Sequence, residues 1–152
     1  MDTKDRQIIR ELQRDGRLSN HELAERVNLS PSPCLRRLRN LEKSGVIQGY
    51  TALIDQKAYG LPITVFIRIR LEHHSRPTVK VFEENIANID EILDCYLMTG
   101  DADYLLRVIV ESLEDYEHFI RNKIHKIPSI ASIDTSFAYG TVKQTRVFAR
   151  RT

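Results

Sequence analysis

Residues 19–39 read SNHELAERVNLSPSPCLRRLR, and this stretch decides the N-terminal fold. Ser19 is a candidate helix N-cap, and Glu22 stands three residues on, the spacing of a capping box. Leu18 and Leu23 occupy the flanking staple positions. The helix so started buries Leu23, Ala24 and Val27. Asn28-Leu29-Ser30 then makes a short polar turn. Ser30 caps a third helix with Pro31 at its first position, where the missing N–H would be unpaired anyway. Pro33 still lies in that first turn. Leu35, Leu38 and Leu41 repeat along one side, and Gly45 ends the helix. Upstream, residues 4–15 predict a helix with Ile8, Ile9 and Leu12 on one face and Gly16 beyond its end. Three short helices, with a tight turn between the second and third, make a helix-turn-helix.

Further along, the period changes. Val46 to Ile54 is β-like, with Gly49 allowing a bend, and fits a small wing or the strand leading into a second domain. Ile63, Val65, Ile67, Ile69 and Leu71 then alternate with Thr64, Phe66, Arg68, Arg70 and Glu72, the period of a half-buried antiparallel strand. Pro77 opens a helix with Val79, Phe82, Ile86 and Ile89 inward. Ile92 to Met98 predicts a second strand and Tyr104 to Val110 a third, joined by the polar loop Thr99 to Asp103. Ser112 and Asp115 form another capping pair. Their helix carries Leu113, Tyr116, Phe119, Ile120 and Ile124, and Pro128 stops it. Ile133, Thr135, Phe137 and Tyr139 alternate in a last strand. The order β-α-β-β-α-β predicts a ferredoxin-like domain, a four-stranded antiparallel sheet with both helices on one face. The chain is thus read as α+β. Residues 1–61 form a winged helix-turn-helix with a linker strand, and residues 62–152 form the sheet domain, parted near Gly60 and Pro62. The free sheet face carries apolar and charged groups, for which a partner subunit is the natural cover.

Composition narrows the function classes. The 152 residues are 41% hydrophobic and 29% charged, ordinary for a folded chain. No run approaches the roughly 18 apolar residues of a membrane span, so no membrane role is expected. The N-terminus is charged and lacks an apolar signal core. Cys34 and Cys95 belong to no metal-spaced pair, and a reducing cytoplasm is the expected compartment. Net charge is only +2 but unevenly spread. Residues 1–50 carry ten basic against seven acidic groups, and the middle of the chain is acidic. From Thr141 onward come Lys143, Arg146, Arg150 and Arg151 with no acid. A basic head and tail favour a polyanion partner, with scattered surface charge as the alternative. The chain holds no nucleophile elbow, phosphate-cradling glycine loop or zinc-hydrolase helix, so no enzyme activity is expected. His73-His74 lack further ligands at a telling spacing, and no metal or other cofactor is expected.

Two candidate sites stand out. With its leucines facing a core, the third helix projects Arg36, Arg37 and Arg39 outward, with Ser30, Ser32 and Pro33 at its N-terminal end. A recognition helix docks its N-terminal half in the major groove. Arginine there bridges guanine O6 and N7 in bidentate fashion. Arg36 is the first candidate for base contact, while Arg37 and Arg39 suit base or phosphate. Arg17 and Asn20, at the start of the second helix, are phosphate candidates. A solvated arginine face is the alternative. The second site is Thr99-Gly100-Asp101-Ala102-Asp103, with carboxylates for an ammonium group and glycine-freed N–H groups for a carboxylate. A plain hairpin turn is the alternative. The competing function is an enzyme or regulatory subunit that binds amino acids and has no DNA role. Cys34 is read as packed, with a redox-sensing thiol as the alternative, and Cys95 as a strand-core residue.

Gly16 to Glu42 resembles the DNA-binding helices of the Lrp/AsnC regulators, the feast/famine family, most specifically in the SPSPCLRR segment over residues 30–37. Gly45 to Asp55 is similar to the family's link out of that domain. Thr99 to Val108 is similar to the central hairpin of its effector domain, and Ser136 to Lys143 to its last strand. Leucine-responsive and branched-chain-amino-acid regulators look closer than the asparagine type. The resemblance implies a regulator of transcription that binds duplex DNA. It implies dimers formed through the sheet domains and assembling further to an octamer, with the helix-turn-helix units outside. It also implies an amino acid or related metabolite bound near Gly100 that shifts assembly or DNA affinity. On that match Met98, Thr99, Gly100, Asp101, Asp103 and Tyr104 form the effector set, with Phe137, Ala138 and Tyr139 lining it or transmitting from it. The N-terminal arm is shorter than in the longer members, which removes arm contacts from the expectation.

Overall fold

A computed structural model describes residues 1–149. The chain divides into two compact units. Met1–Leu53 form the first, joined by the chain from Val142 onward, and Ile54–Thr141 form the second. The expected boundary after residue 61 thus lies too late, and the last stretch belongs with the first unit. The reason is local. The Tyr59 N–H donates to the Asp55 carbonyl at 2.9 Å, and Gln56 Nε2 donates to Thr64 Oγ1 at 3.0 Å, so the linker folds onto the sheet.

The first unit has three helices: α1 (Thr3–Arg14), α2 (Asn20–Arg26) and α3 (Pro31–Lys43). Asp2 and Asp5 make a reciprocal capping box that starts α1. The box expected for α2 is present: Ser19 Oγ accepts the Glu22 N–H at 3.3 Å, and the Glu22 carboxylate accepts the Ser19 N–H at 2.8 Å. The cap expected for α3 is not. Ser30 sits at the N-cap without a side-chain capping bond, and Pro31 alone supplies the start signal. Asn28 turns the chain between α2 and α3 at φ 52°, a left-handed conformation that asparagine tolerates. Ile8, Leu23, Ala24, Val27, Cys34 and Leu41 form the buried core. Val46 to Ile54, expected as a small wing or the strand leading into the second unit, forms no strand. A strand needs a hydrogen-bonded neighbour, and among the described residues none pairs with it.

The second unit runs β1 (Ile63–Leu71), α4 (Arg76–Ala87), β2 (Ile92–Leu97), β3 (Tyr104–Val110), α5 (Leu113–Phe119), a π-helical turn (Ile120–Ile124) and β4 (Ile130–Phe137). The sheet order is β2-β3-β1-β4, antiparallel throughout, as the ferredoxin-like reading requires. Val65, Ile67, Ile69 and Leu71 of β1 and Tyr104, Leu106, Val108 and Val110 of β3 share one face. They pack with Phe82, Ile86, Phe119 and Ile124. The fourth strand ends at Phe137, so Tyr139 lies outside it. Cys95 is exposed rather than in the core, because β2 is an edge strand bonded to β3 alone. Local burial and the nearby Glu83 carboxylate nonetheless push its thiol up to about 11. Cys34 is buried and its thiol is raised by that burial, which argues against a redox sensor. No helix among the described residues is long and apolar enough to cross a membrane.

The hairpin between β2 and β3 is locked by Asp103. Its carboxylate accepts the Leu71 N–H at 2.7 Å and meets His74 Nε2 at 2.8 Å. Its backbone N–H donates to the Ile69 carbonyl at 2.9 Å, and its carbonyl accepts the Met98 N–H at 2.8 Å. Gly100 turns the hairpin at φ 107°, a region closed to most L side chains.

The two serines at helix starts separate cleanly by experiment. Ser19→Ala is expected to cost about 1 kcal/mol in urea unfolding. Ser30→Ala, which breaks no capping bond, is expected to cost well under half of that. Asp103 gives a pH signature. The Leu71 N–H, and after it His74, hold its carboxyl below the usual 3.8. A carboxyl depressed by folding adds stability above its unfolded pKa and loses it as pH falls through the folded one. Stability of the wild type should therefore decline below pH 3.8 more steeply than that of Asp103→Asn, measured by urea midpoints across an acid series.

Candidate nucleic-acid interface and effector pocket

The helix-turn-helix is held together before it presents anything. The Leu29 N–H donates to the Ala24 carbonyl at 2.9 Å and closes the turn. Asn20 Nδ2 donates to the Pro31 carbonyl at 2.9 Å and ties the start of α2 to the start of α3. The Asn20 carboxamide, expected on phosphate, thus donates to the Pro31 carbonyl instead. Ser30 and Ser32 are exposed, and Pro33 is half-buried.

The inward seam of α3 is Cys34, Leu38 and Leu41, at i, i+4 and i+7. That spacing sends Arg36 and Arg39 outward. Both are exposed, and neither is ion-paired among the described residues. Arg37 lies on the flank of the seam and does not face out. Its Nη1 reaches Asp2 Oδ2 at 2.7 Å and Asp5 Oδ1 at 2.8 Å. The expectation that all three arginines project to DNA is corrected at Arg37, whose charge is spent on the start of α1. The pairing leaves its mark on the titrations. The Asp5 backbone N–H, and next Arg37, hold the Asp2 carboxyl below its ordinary value, while Asp5 and Asp2 raise the Arg37 guanidinium. Arg17 is exposed. Its backbone N–H donates to Asp15 Oδ1 at 3.0 Å, and its guanidinium has no ion pair among the described residues.

The second site is a concavity of about 420 Å³ on the sheet face opposite the helices. The hairpin contributes Met98, Thr99, Asp101 and Ala102, and β1 contributes Arg68, Ile69 and Arg70. Leu105 of β3 and Ser132 and Asp134 of β4 complete it. Arg68 pairs with Asp134 at 3.2 Å. Arg70 and Asp101 are exposed and without an ion pair among the described residues. One free cation, one free anion and the apolar surface of Met98 and Leu105 suit a zwitterion with an apolar side chain.

Several expected effector residues do not line this concavity. Asp103 is consumed by the Leu71 N–H and His74. Tyr104 is buried on the helix side, its ring 4.5 Å from that of Phe82 and its hydroxyl donating to Glu83. Phe137 packs edge-on against Tyr116 at 5.0 Å on the same side. The Ala138 N–H donates to the Thr64 carbonyl at 2.9 Å, and Tyr139 is fully exposed. Strand parity is the reason, since positions 104 and 137 share the phase of the core residues. The same parity puts Arg68 and Arg70 on the open face. Their alternation with apolar residues in β1 was the signal that could have added them to the site.

Known proteins agree with both halves. The Winged helix-turn-helix DNA-binding family matches residues 1–48, and the Lrp/AsnC ligand binding domain matches residues 64–148. The Bkd operon transcriptional regulator of Pseudomonas aeruginosa is 42% identical over 93% of this chain and 93% of its own. The Leucine-responsive regulatory protein of Escherichia coli strain K12 is 39% identical over 95% of this chain and 88% of its own. Among solved structures, the L-Met complex of the transcriptional regulator NMB0573 from Neisseria meningitidis superposes with a TM-score of 0.93 at 34% identity. That superposition covers 98% of this chain and 96% of the other. A helix-turn-helix whose third helix exposes Arg36 and Arg39, a ferredoxin-like sheet with a concave open face, and identity along nearly the whole length place this chain in the Lrp/AsnC family of transcriptional regulators.

Proposed function

We propose that this chain reads duplex DNA with Arg36 and Arg39, is positioned on phosphate by Arg17, Ser30 and Ser32, and senses an amino acid with an apolar side chain at the open-face concavity. The observation that carries the reading is the split among three neighbouring arginines. Arg37 is neutralised by two carboxylates, whereas Arg36 and Arg39 stand exposed and unpaired among the described residues. Desolvating a guanidinium is offset only by a partner, and guanine or phosphate is the partner such a helix meets.

Arg70 takes the carboxylate of the effector, Asp101 its ammonium group, and Met98 and Leu105 its side chain. The L-Met complex of the Neisseria relative supports this class of ligand. The open face also carries Phe66, Leu105 and Ile109, half-buried, beside the pairs Arg107–Asp94 and Arg68–Asp134. A second copy laid face to face covers this apolar strip and places the concavity at a subunit boundary. Dimers then assemble to an octamer. The two free thiols suit a cytoplasmic protein.

Gel shifts at two salt concentrations test the DNA half. Arg36→Ala and Arg39→Ala should each relax base preference at a cost of about 1–3 kcal/mol. Arg37→Ala should act through stability, seen as a lower melting temperature, with base preference kept. Intact binding in an Arg36→Ala/Arg39→Ala double variant would sink the assignment. Thermal-shift measurements with the apolar amino acids test the sensing half. A ligand at about one hundred times its Kd should add about 2.7 kcal/mol to the wild type. Arg70→Ala should abolish the shift, and a full shift in that variant would refute the carboxylate contact.

A further inference from the structure

We propose that the C-terminal tail is a second phosphate-binding surface for duplex DNA, docked on the helix-turn-helix unit by Gln13. The inference rests on the DNA-binding reading and adds to it a surface outside the helix-turn-helix itself. Gln13, near the end of α1, holds the tail with both ends of one carboxamide. Its Nε2 donates to the Arg146 carbonyl at 2.9 Å, and its Oε1 accepts the Phe148 N–H at 3.1 Å. The two bonds hold the chain on either side of a bend at Val147. Val147, between the two gripped residues, is half-buried, while Phe148 and Arg146 are exposed.

A carboxamide committed to two backbone groups fixes where the tail runs. From Thr141 onward that tail carries Lys143, Arg146, Arg150 and Arg151 and no acid. Arg150 and Arg151 lie outside the described residues. Lys143 and Arg146 are exposed, and neither meets a carboxylate among the described residues. Four residues beyond Gln13 stands Arg17, whose guanidinium also has no ion pair among the described residues. The clasp therefore brings the Arg146 backbone to the end of α1, which Arg17 follows in sequence. Holding like charges together costs free energy unless an anion meets them, and duplex phosphate is the anion this unit binds.

The test is fluorescence anisotropy on the full chain with a labelled mixed-sequence duplex, across a salt series. Each phosphate that is no longer neutralised should flatten the slope of log affinity against log salt by about 0.9. Lys143→Ala/Arg146→Ala should therefore flatten it by nearly 2 and weaken low-salt binding by about tenfold or more. Gln13→Ala, a favourable helix substitution, should shift both quantities the same way without lowering the melting temperature. Arg36→Ala runs alongside as the reference. A double variant with wild-type slope, while Arg36→Ala binds more weakly, overturns the tail surface and leaves the helix-turn-helix reading standing. A wild-type slope in Gln13→Ala overturns the docking. Absence of binding by the wild type at every salt concentration overturns both readings together.

Discussion

A β-strand sends successive side chains to opposite faces, and β1 imposes that constraint on the whole effector unit. Val65, Ile67, Ile69 and Leu71 take the inner phase and are buried. Thr64, Phe66, Arg68 and Arg70 are left to the outer one. Because β1 lies between β3 and β4, its phase is copied to both neighbours through the ladders Ile67↔Leu106 and Ile67↔Thr135. Helices cover one face and leave the other open. Everything the open face can do then follows from which residues hold the outer phase. A slip of one residue would bury Arg68 and Arg70 and expose the isoleucines, so register and site are specified together.

In the first unit the corresponding constraint is the helical seam. The Cys34, Leu38 and Leu41 line fixes the rotation of α3, and rotation fixes which arginine is free. Arg37 stands beside that line and within reach of Asp2 and Asp5, which are themselves placed by the capping box of α1. One short acidic segment thus starts one helix and pins another. Replacing Arg37 would leave two carboxylates close together without a counter-charge, which affects the orientation of α3 rather than a direct contact with a ligand.

Much of this was legible in the sequence. The alternation from Ile63 to Leu71, the Ser19–Glu22 box and the strand from Tyr104 to Val110 are strong local signals, and each element formed where they pointed. What stayed hidden depends on groups distant in sequence. Asp2 lies 35 residues from Arg37, and no periodicity links them. Asp103 reads as a free carboxylate until Leu71 and His74 are brought to it by folding. Closeness to the Gly100 loop or family likeness points Tyr104 and Phe137 toward the effector, while parity turns both rings the other way. The edge position of Cys95 follows from strand order, which pattern alone does not supply.

Charge shows the same lesson quantitatively. Ten basic residues among the first fifty suggest a broad cationic face. Folding spends several of them inward. Arg14 and Arg26 both turn to Glu11, at 2.6 and 3.6 Å, and Arg37 to Asp2 and Asp5. A guanidinium already paired within its own unit releases no counterion when DNA arrives, since its field is largely cancelled beforehand. Salt dependence is set by the phosphates neutralised anew, at about 0.9 in slope for each, so it follows the unpaired cations rather than the total. On the proposed reading, specificity narrows for the same reason. A helix with three outward arginines would attract any phosphate it met, whereas one with Arg36 and Arg39 exposed and Arg37 held back presents two defined donors on a fixed face.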